Sequence, residues 1–306
     1  MRHDGTERVY IETVEKIYLY ENIQEKMYVM LDQMRETIKI PPHATVLIKL
    51  NLCLLKGPET GATVDPLVAR AVVEWLLERN DIKKIYLAEA DATHLGADMA
   101  FHILGWHTMF RDNPKVTFLN LSSDEAVSVQ SNYIRDLKMP KTMMDADFLI
   151  SLAKLKTHTL QKVTCIMKNQ FGAIPYKYKV VYHPILAQAI CDATAARVPD
   201  LSVVDGLIAM EGNGPTNGIP RRTKLLLAAN DAIAMDHCCA RLMGFRPSSI
   251  PYLKLAVKHK LGTIQYDMVG NPPTPLNMRF RFLPKWKELI KKGIGLMRRS
   301  VINEEA

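Results

Sequence analysis

Ionisable and amide side chains are concentrated in a few short clusters of this chain. Lys154-Leu-Lys-Thr-His158 puts two ammonium groups and an imidazole within five residues. Lysine offers an anion a point charge, and histidine moves a proton near neutrality or ligates a metal through a neutral ring nitrogen. Lys168-Asn169-Gln-Phe-Gly172 adds a further cation and a carboxamide, and Tyr176, Lys177, Tyr178, Lys179 and His183 form a loop of ligand-capable groups. Glu211-Gly-Asn-Gly-Pro-Thr-Asn-Gly218 is glycine-rich, and Gly212 and Gly214 permit positive φ and close approach of a ligand to backbone N–H groups. The loop matches neither Gly-x-x-x-x-Gly-Lys-Ser/Thr nor Gly-x-Gly-x-x-Gly, so neither a P-loop nor the usual dinucleotide fingerprint is present. His-Glu-x-x-His and Cys-x-x-Cys are also absent; a metal would need the dispersed ligands His158, His183, Asp205 and Glu211. The plain alternatives are an ordinary charged loop at 154–158 and a simple turn at 211–218.

The elements that must position these groups follow from hydrophobic periodicity. Residues 13–39 read as one amphipathic helix with Val14, Ile17, Tyr18, Met27, Met30, Leu31 and Met34 inward, ended by Pro41-Pro42. Short apolar runs at 45–51, 84–89, 115–121, 147–152, 201–205 and 224–229 read as strands, and 66–79, 95–105, 184–196 and 231–243 as helices. Asp231 suits a helix N-cap, and Asp236, an acid among apolar neighbours, requires a hydrogen-bonding partner. Helices alternating with near-continuous apolar strands specify an α/β fold with a mostly parallel sheet covered by helices. In such sheets ligands bind beyond the carboxyl ends of the strands. Lys49 and Asn51, Glu89 and Asp91, then Lys154, Lys156 and His158, then Asp205 and Glu211 follow four of the predicted strands. One shared cleft is expected, with Lys49, Asn51, Lys154, Lys156, Lys168, Asn169, Gly212 and Gly214 binding substrate. His158, Asp205 and Glu211 would handle protons.

Composition narrows the class. The 306 residues are 48% apolar and 24% charged, which excludes a disordered chain, a collagen-like repeat and a disulfide scaffold. The five cysteines are odd in number and form no local iron–sulfur motif, as expected of free thiols in a reducing compartment. The polar start of the chain lacks the apolar core of a signal peptide, and no run is long enough to span a membrane, so a cytoplasmic protein is expected. Net charge is +8, yet residues 277–300 alone hold eight bases and one acid. Residues 1–276 are therefore read as the α/β body, for which nucleic acid is not an expected partner, and 277–306 as a basic C-terminal tail. In the tail Trp286, Leu289, Ile290, Gly293, Ile294 and Met297 share one helical face; such a basic amphipathic helix packs on the body or lies on an anionic membrane surface.

The runs Ile48-Lys-Leu-Asn51, Thr63-Val-Asp-Pro66, Lys154-Leu-Lys-Thr-His158, Lys168-Asn169-x-Phe-Gly172, His183, Asp205-Gly-x-x-x-Met-Glu-Gly-x-Gly-Pro215 and Asp231-x-x-Ala-x-Asp236 resemble, in order over about 45–245, the family called domain of unknown function 362. The resemblance implies an α/β fold and little about a reaction. Many relatives carry a ferredoxin-like cysteine module; this chain lacks those cysteines, and the iron–sulfur label does not transfer to it. In general layout alone the chain is also similar to the nickel-cofactor lactate racemase family. Three functions remain: an enzyme acting on a small anionic substrate by acid–base chemistry, a metal- or cofactor-carrying redox protein, and a module binding anionic surfaces through its tail. The sequence identifies no cofactor.

Overall fold

The structure is a computed structural model, and it describes residues 6–93 and 95–282. The chain opens with β1 (Glu7–Thr13), α1 (Tyr20–Gln33), β2 (Thr45–Lys49), α2 (Pro66–Leu77), β3 (Lys84–Glu89), α3 (Ala97–Ile103), α4 (Trp106–Phe110) and β4 (Val116–Asn120). A small hairpin, β5 (Ala126–Ser128) and β6 (Lys138–Pro140), and α5 (Lys141–Asp145) lead to β7 (Phe148–His158) and β8 (Lys162–Thr164). Then come α6 (Ile166–Gly172), α7 (Leu186–Ala196), β9 (Leu201–Glu211), β10 (Ile219–Ala229), α8 (Ala232–Leu242), α9 (Pro251–Lys258) and β11 (Tyr266–Gly270).

The main sheet has the order β11-β1-β10-β9-β7-β2-β3-β4, with β8 paired to the end of β7. Its neighbours are parallel except where β10 lies between β9 and β1, and where β8 turns back on β7. The expected α/β fold with a mostly parallel, helix-covered sheet is thus the observed one. Period-two alternation splits each strand between two cores. Val46, Ile48 and Ile150 pack with Met27, Val72, Phe101 and Trp106 under α1 to α4. Leu47, Leu149 and Leu225 pack with Phe171, Ile190, Leu242 and Leu253 under α6 to α9. Because both faces are covered, the central strands are apolar almost throughout.

Local chemistry sets the helix starts. Asp65 caps α2 by accepting from the amide of Leu67 at 2.9 Å, and Asp231 caps α8 by accepting from Ile233 and Ala234 at 2.7 and 2.8 Å. Asp236 is fully buried and has the partners its position demands: it accepts from the first amides of α6, Ile166 at 2.7 Å and Met167 at 3.3 Å. It therefore ties α8 to α6, and burial raises its carboxyl to a pKa of about 6.

Three expectations change. The helix expected over 13–39 is only Tyr20–Gln33; before it, Val9, Tyr10 and Ile11 are buried in β1, and the Val14 amide donates to Lys224 O at 2.7 Å, extending the sheet where a helix was expected. Of the inward positions, Tyr18 is 66% exposed and the others are buried. The strands expected at 147–152 and 201–205 run on to His158 and Glu211, so their charged residues lie inside strands. Residues 277–282, grouped by charge with the tail, lie against the body: the amides of Met278 and Phe280 donate to the last carbonyls of α8, and that of Gly212 to Arg281 O at 2.9 Å. The tail helix itself, from residue 283 onward, lies outside the described residues. No helix among the described residues is long and apolar enough to cross a membrane.

Candidate active site

From β2 the chain winds outward through β3 to β4, then returns to place β7 on the other side of β2. The β2/β7 gap is therefore the switch point of a doubly wound sheet, where helices leave on opposite faces and a crevice opens beyond the strand ends. β7 pairs with β2 as far as Ser151 and runs on to His158, forming one wall of this crevice. A cavity of about 450 Å³ lies there, lined by Lys49 at the end of β2 and Asn51 just beyond it, Glu89 and Asp91 at β3, Lys156 and His158 on β7, Thr164 on β8 and Lys168 and Phe171 on α6. The loop bearing Lys177, Lys179 and His183, together with Pro215 and Thr216, closes its sides.

The charges of the cleft are unevenly paired. Lys49 is buried and donates to Glu89 at 2.5 Å; Glu89 also accepts from the amides of Leu52 and Ala90 at 2.6 and 2.8 Å, so that carboxylate is satisfied within the wall. The carboxylate of Asp91 accepts from Ala97 N at 2.9 Å and Asn120 Nδ2 at 3.1 Å. Lys156 donates to Ala62 O at 2.6 Å and to Cys53 Sγ at 3.1 Å, Lys179 donates to Asp91 O at 2.6 Å, and Lys168 rests its ammonium 4.1 Å from the Phe171 ring centre. Among the described residues none of Lys156, Lys168, Lys177 and Lys179 has a carboxylate ion partner. Burial, then the neighbouring charges of Lys156 and Lys179, brings Lys168 down to a pKa of about 7. Lys179 falls to about 8, chiefly through burial. Of the residues in the lining, Asn51 and Thr164 each hold a buried polar atom, Oδ1 and Oγ1, with no hydrogen-bond partner among the described residues.

His158 is expected as an acid–base group, and its surroundings assign it differently. Its Nδ1 accepts from the amides of Leu160 and Gln161 at 3.1 and 3.2 Å. The neutral ring therefore carries its proton on Nε2. Burial, with the charges of Lys168 and Lys156, holds the ring well below its ordinary pKa. His158 is thus a neutral hydrogen-bond donor at the cavity, and a metal bound through Nε2 would displace that proton.

The other expected residues separate. Lys154 and Asp205 are fully buried and paired at 2.7 Å across neighbouring strands, and Asp205 also accepts from the amides of Asp65 at 2.7 Å and Leu207 at 3.0 Å. This pair lies off the cavity lining, so neither the substrate role of Lys154 nor the catalytic role of Asp205 is supported by position. Glu211 is likewise off the lining, held by Arg221 at 2.7 Å and by the amide and guanidinium of Arg281 at 3.1 and 3.3 Å. Gly212 has φ +82°, but its amide is spent on Arg281 O, and a Cβ on Gly214 would stand 1.9 Å from Thr157 O. Gly212 serves the positive φ and Gly214 the close approach of the 211–218 loop to β7, and both lie off the cavity lining. Asn169 is buried behind the wall: its Nδ2 donates to Lys49 O and Ser151 Oγ at 3.1 Å each, and its Oδ1 accepts from Asn51 at 3.0 Å, pinning α6 to β2 and β7. Among the described residues no three His, Cys, Asp or Glu side chains are placed to hold a metal, so His158, His183, Asp205 and Glu211 form no ligand set. The sequence reading leaves Cys53, Thr164 and Phe171 out of the site. A thiol two residues past Asn51 is the one local signal that could have found Cys53, and nothing local marks the other two.

Fold and crevice together define a doubly wound α/β protein with a lysine-lined cavity at its switch point. The chain belongs to the family described as Domain of unknown function (DUF362), whose model matches residues 46–241. A thylakoid-associated protein of Synechocystis sp. is 30% identical over 232 residues, covering 73% of this chain and 70% of that protein. The lactate racemase apoprotein from Thermoanaerobacterium thermosaccharolyticum is similar in structure at a TM-score of 0.44 and 10% identity; the match covers 78% of this chain and 57% of that one, little more than half its length.

Proposed function

We propose that this chain is an enzyme acting on a small anionic substrate in the β2/β7 crevice by acid–base chemistry. The observation that carries the reading is the cluster Lys156, Lys168, Lys177 and Lys179 around one cavity, without carboxylate partners among the described residues. Unpaired cations at a partly buried site attract a ligand of opposite charge more strongly than the same cations in water. Lys168, balanced near neutrality, is the proton carrier, and the Nε2–H of His158 hydrogen-bonds a developing oxyanion. Asn51 and Thr164 supply the neutral polar contacts. Calorimetric titration with a panel of carboxylates and phosphate esters tests the reading. Lys156→Met and Lys168→Met should each weaken the best ligand about tenfold or more, the loss of about 1.4 kcal/mol expected for a direct charged contact. Unchanged affinity in both variants would sink the proposal.

A second reading, contact with an anionic membrane surface through the tail, is supported by the eight bases in residues 277–300 and by the relative whose name records thylakoid association. It predicts salt-sensitive sedimentation with phosphatidylglycerol vesicles. Loss of residues 283–306 should abolish it; equal binding by the shortened chain would remove this reading.

A further inference from the structure

The lysines that line the crevice differ in what their nitrogens are doing. Lys49 is committed to Glu89, and Lys177 is exposed at the rim. Lys156 is anchored to Ala62 O and Cys53 Sγ, and Lys179 to Asp91 O. Of the lysines set into the wall, Lys168 alone has neither a carboxylate nor a hydrogen-bond acceptor among the described residues; its contact is the face of Phe171. A site built only to hold an anion would gain most from cations kept fully charged. Instead Lys168 is partly buried in the cavity wall, where the charges of Lys156 and Lys179 act on it, the kind of arrangement that turns a lysine into a nucleophilic amine. We propose that the Lys168 amine condenses with the carbonyl carbon of a 2-oxo carboxylate to form an imine, an inference that rests on the anion-site reading above and names its substrate class.

The surroundings supply the remaining parts. Lys156 and Lys179, the cations that act most strongly on Lys168, hold the carboxylate. His158 lines the same cavity and presents its Nε2–H as a donor to the carbonyl oxygen, a bond that strengthens as the oxygen gains charge. Asn51 and Thr164 line the same cavity and add polar character to its wall. Leu52, Ala90 and Phe171 form apolar wall that limits water. In the step itself the nitrogen lone pair forms a bond to the carbonyl carbon. Both nitrogen protons pass to the former carbonyl oxygen, and that oxygen leaves as water, so that amine and ketone become imine and water with no change of oxidation state. With its pKa lowered to about 7, Lys168 holds far more free amine at neutrality than an ordinary lysine, for which it is about one part in 2,500.

Cyanoborohydride reduction of the full-length protein with pyruvate, followed by intact mass measurement and peptide mapping, is the test. One adduct of a reduced pyruvate is expected, mapping to Lys168, absent with lactate in place of pyruvate and absent in Lys168→Arg, which keeps the charge. Mapping on the wild-type protein answers the question even where that variant folds poorly. No adduct, or label spread evenly over surface lysines, would overturn the imine. A parallel titration without reductant separates the two ideas: pyruvate that binds without forming an adduct overturns the imine and leaves the anion site standing, whereas no binding by any anion overturns both.

Discussion

Replacing Lys154 with methionine decides whether this residue serves the ligand or the fold. Its ammonium and the Asp205 carboxylate are both fully buried and 2.7 Å apart, and the carboxylate also accepts from the amides of Asp65 and Leu207. Removing one partner of such a pair leaves an uncompensated buried charge and costs about 3–5 kcal/mol. Methionine fills most of the lysine stem, so little of the loss is cavity. Against a typical total stability of about 5–15 kcal/mol, the change is readily seen in urea unfolding. Lys154→Met/Asp205→Asn should recover more than half of the loss, because asparagine keeps an acceptor for the amides of Asp65 and Leu207 without the charge. Ligand affinity of the folded single variant should stay within about threefold of the wild type. A stability loss below about 1 kcal/mol together with collapse of ligand affinity would refute this reasoning and return Lys154 to the ligand.

Further outcomes follow from the same geometry. Burial and the charge of Asp205 raise Asp65 to a pKa of about 6, so its ionisation opposes folding above that pH; Asp65→Asn, which preserves the cap of α2, should be more stable than wild type at about pH 7.5, with the advantage fading as pH falls toward about 4. Thermal melts across that range check the sign, and an advantage that grows in acid would contradict it. Anion affinity should weaken as pH rises through the values of Lys168 and Lys179, about 7 and about 8, because each loses a positive charge; Lys168→Met should flatten the lower part of the profile, and a profile unmoved by that change would count against Lys168 as a ligand contact. Gly214→Ala would force a Cβ against Thr157 O and should cost about 1–3 kcal/mol in urea unfolding while weakening ligand binding through the displaced Pro215 and Thr216; wild-type stability would show that the loop has room to relax.

Much of the crevice is legible along the chain because strand ends are marked locally. Lys49, Asn51, Lys156, His158 and Lys168 are expected site residues and do line the cavity. Their neighbours mislead by the same rule. Lys154 and Asp205 look like polar residues beyond strand ends, since a charge ordinarily ends a buried run. The charge is tolerated inside the sheet because its partner, 51 residues away, stands beside it on the adjacent strand. Glu211 carries the look of a catalytic acid until Arg221 and Arg281 are seen to occupy both its oxygens.

Periodicity and punctuation are short-range properties, and from them come the α/β class, the mostly parallel sheet, the cap at Asp231, the start of α2 at Pro66, and the membership signalled by the ordered motifs. The first strand escapes because its pairing with β10 joins segments more than 200 residues apart, which no local pattern records. Which lysines are paired and which are left to a ligand, and that His158 offers Nε2–H instead of a free lone pair, depend on partners brought together only when the strands assemble. Electrostatic pairing is a matter of a few ångströms in space, and the chain specifies those distances only through the complete fold.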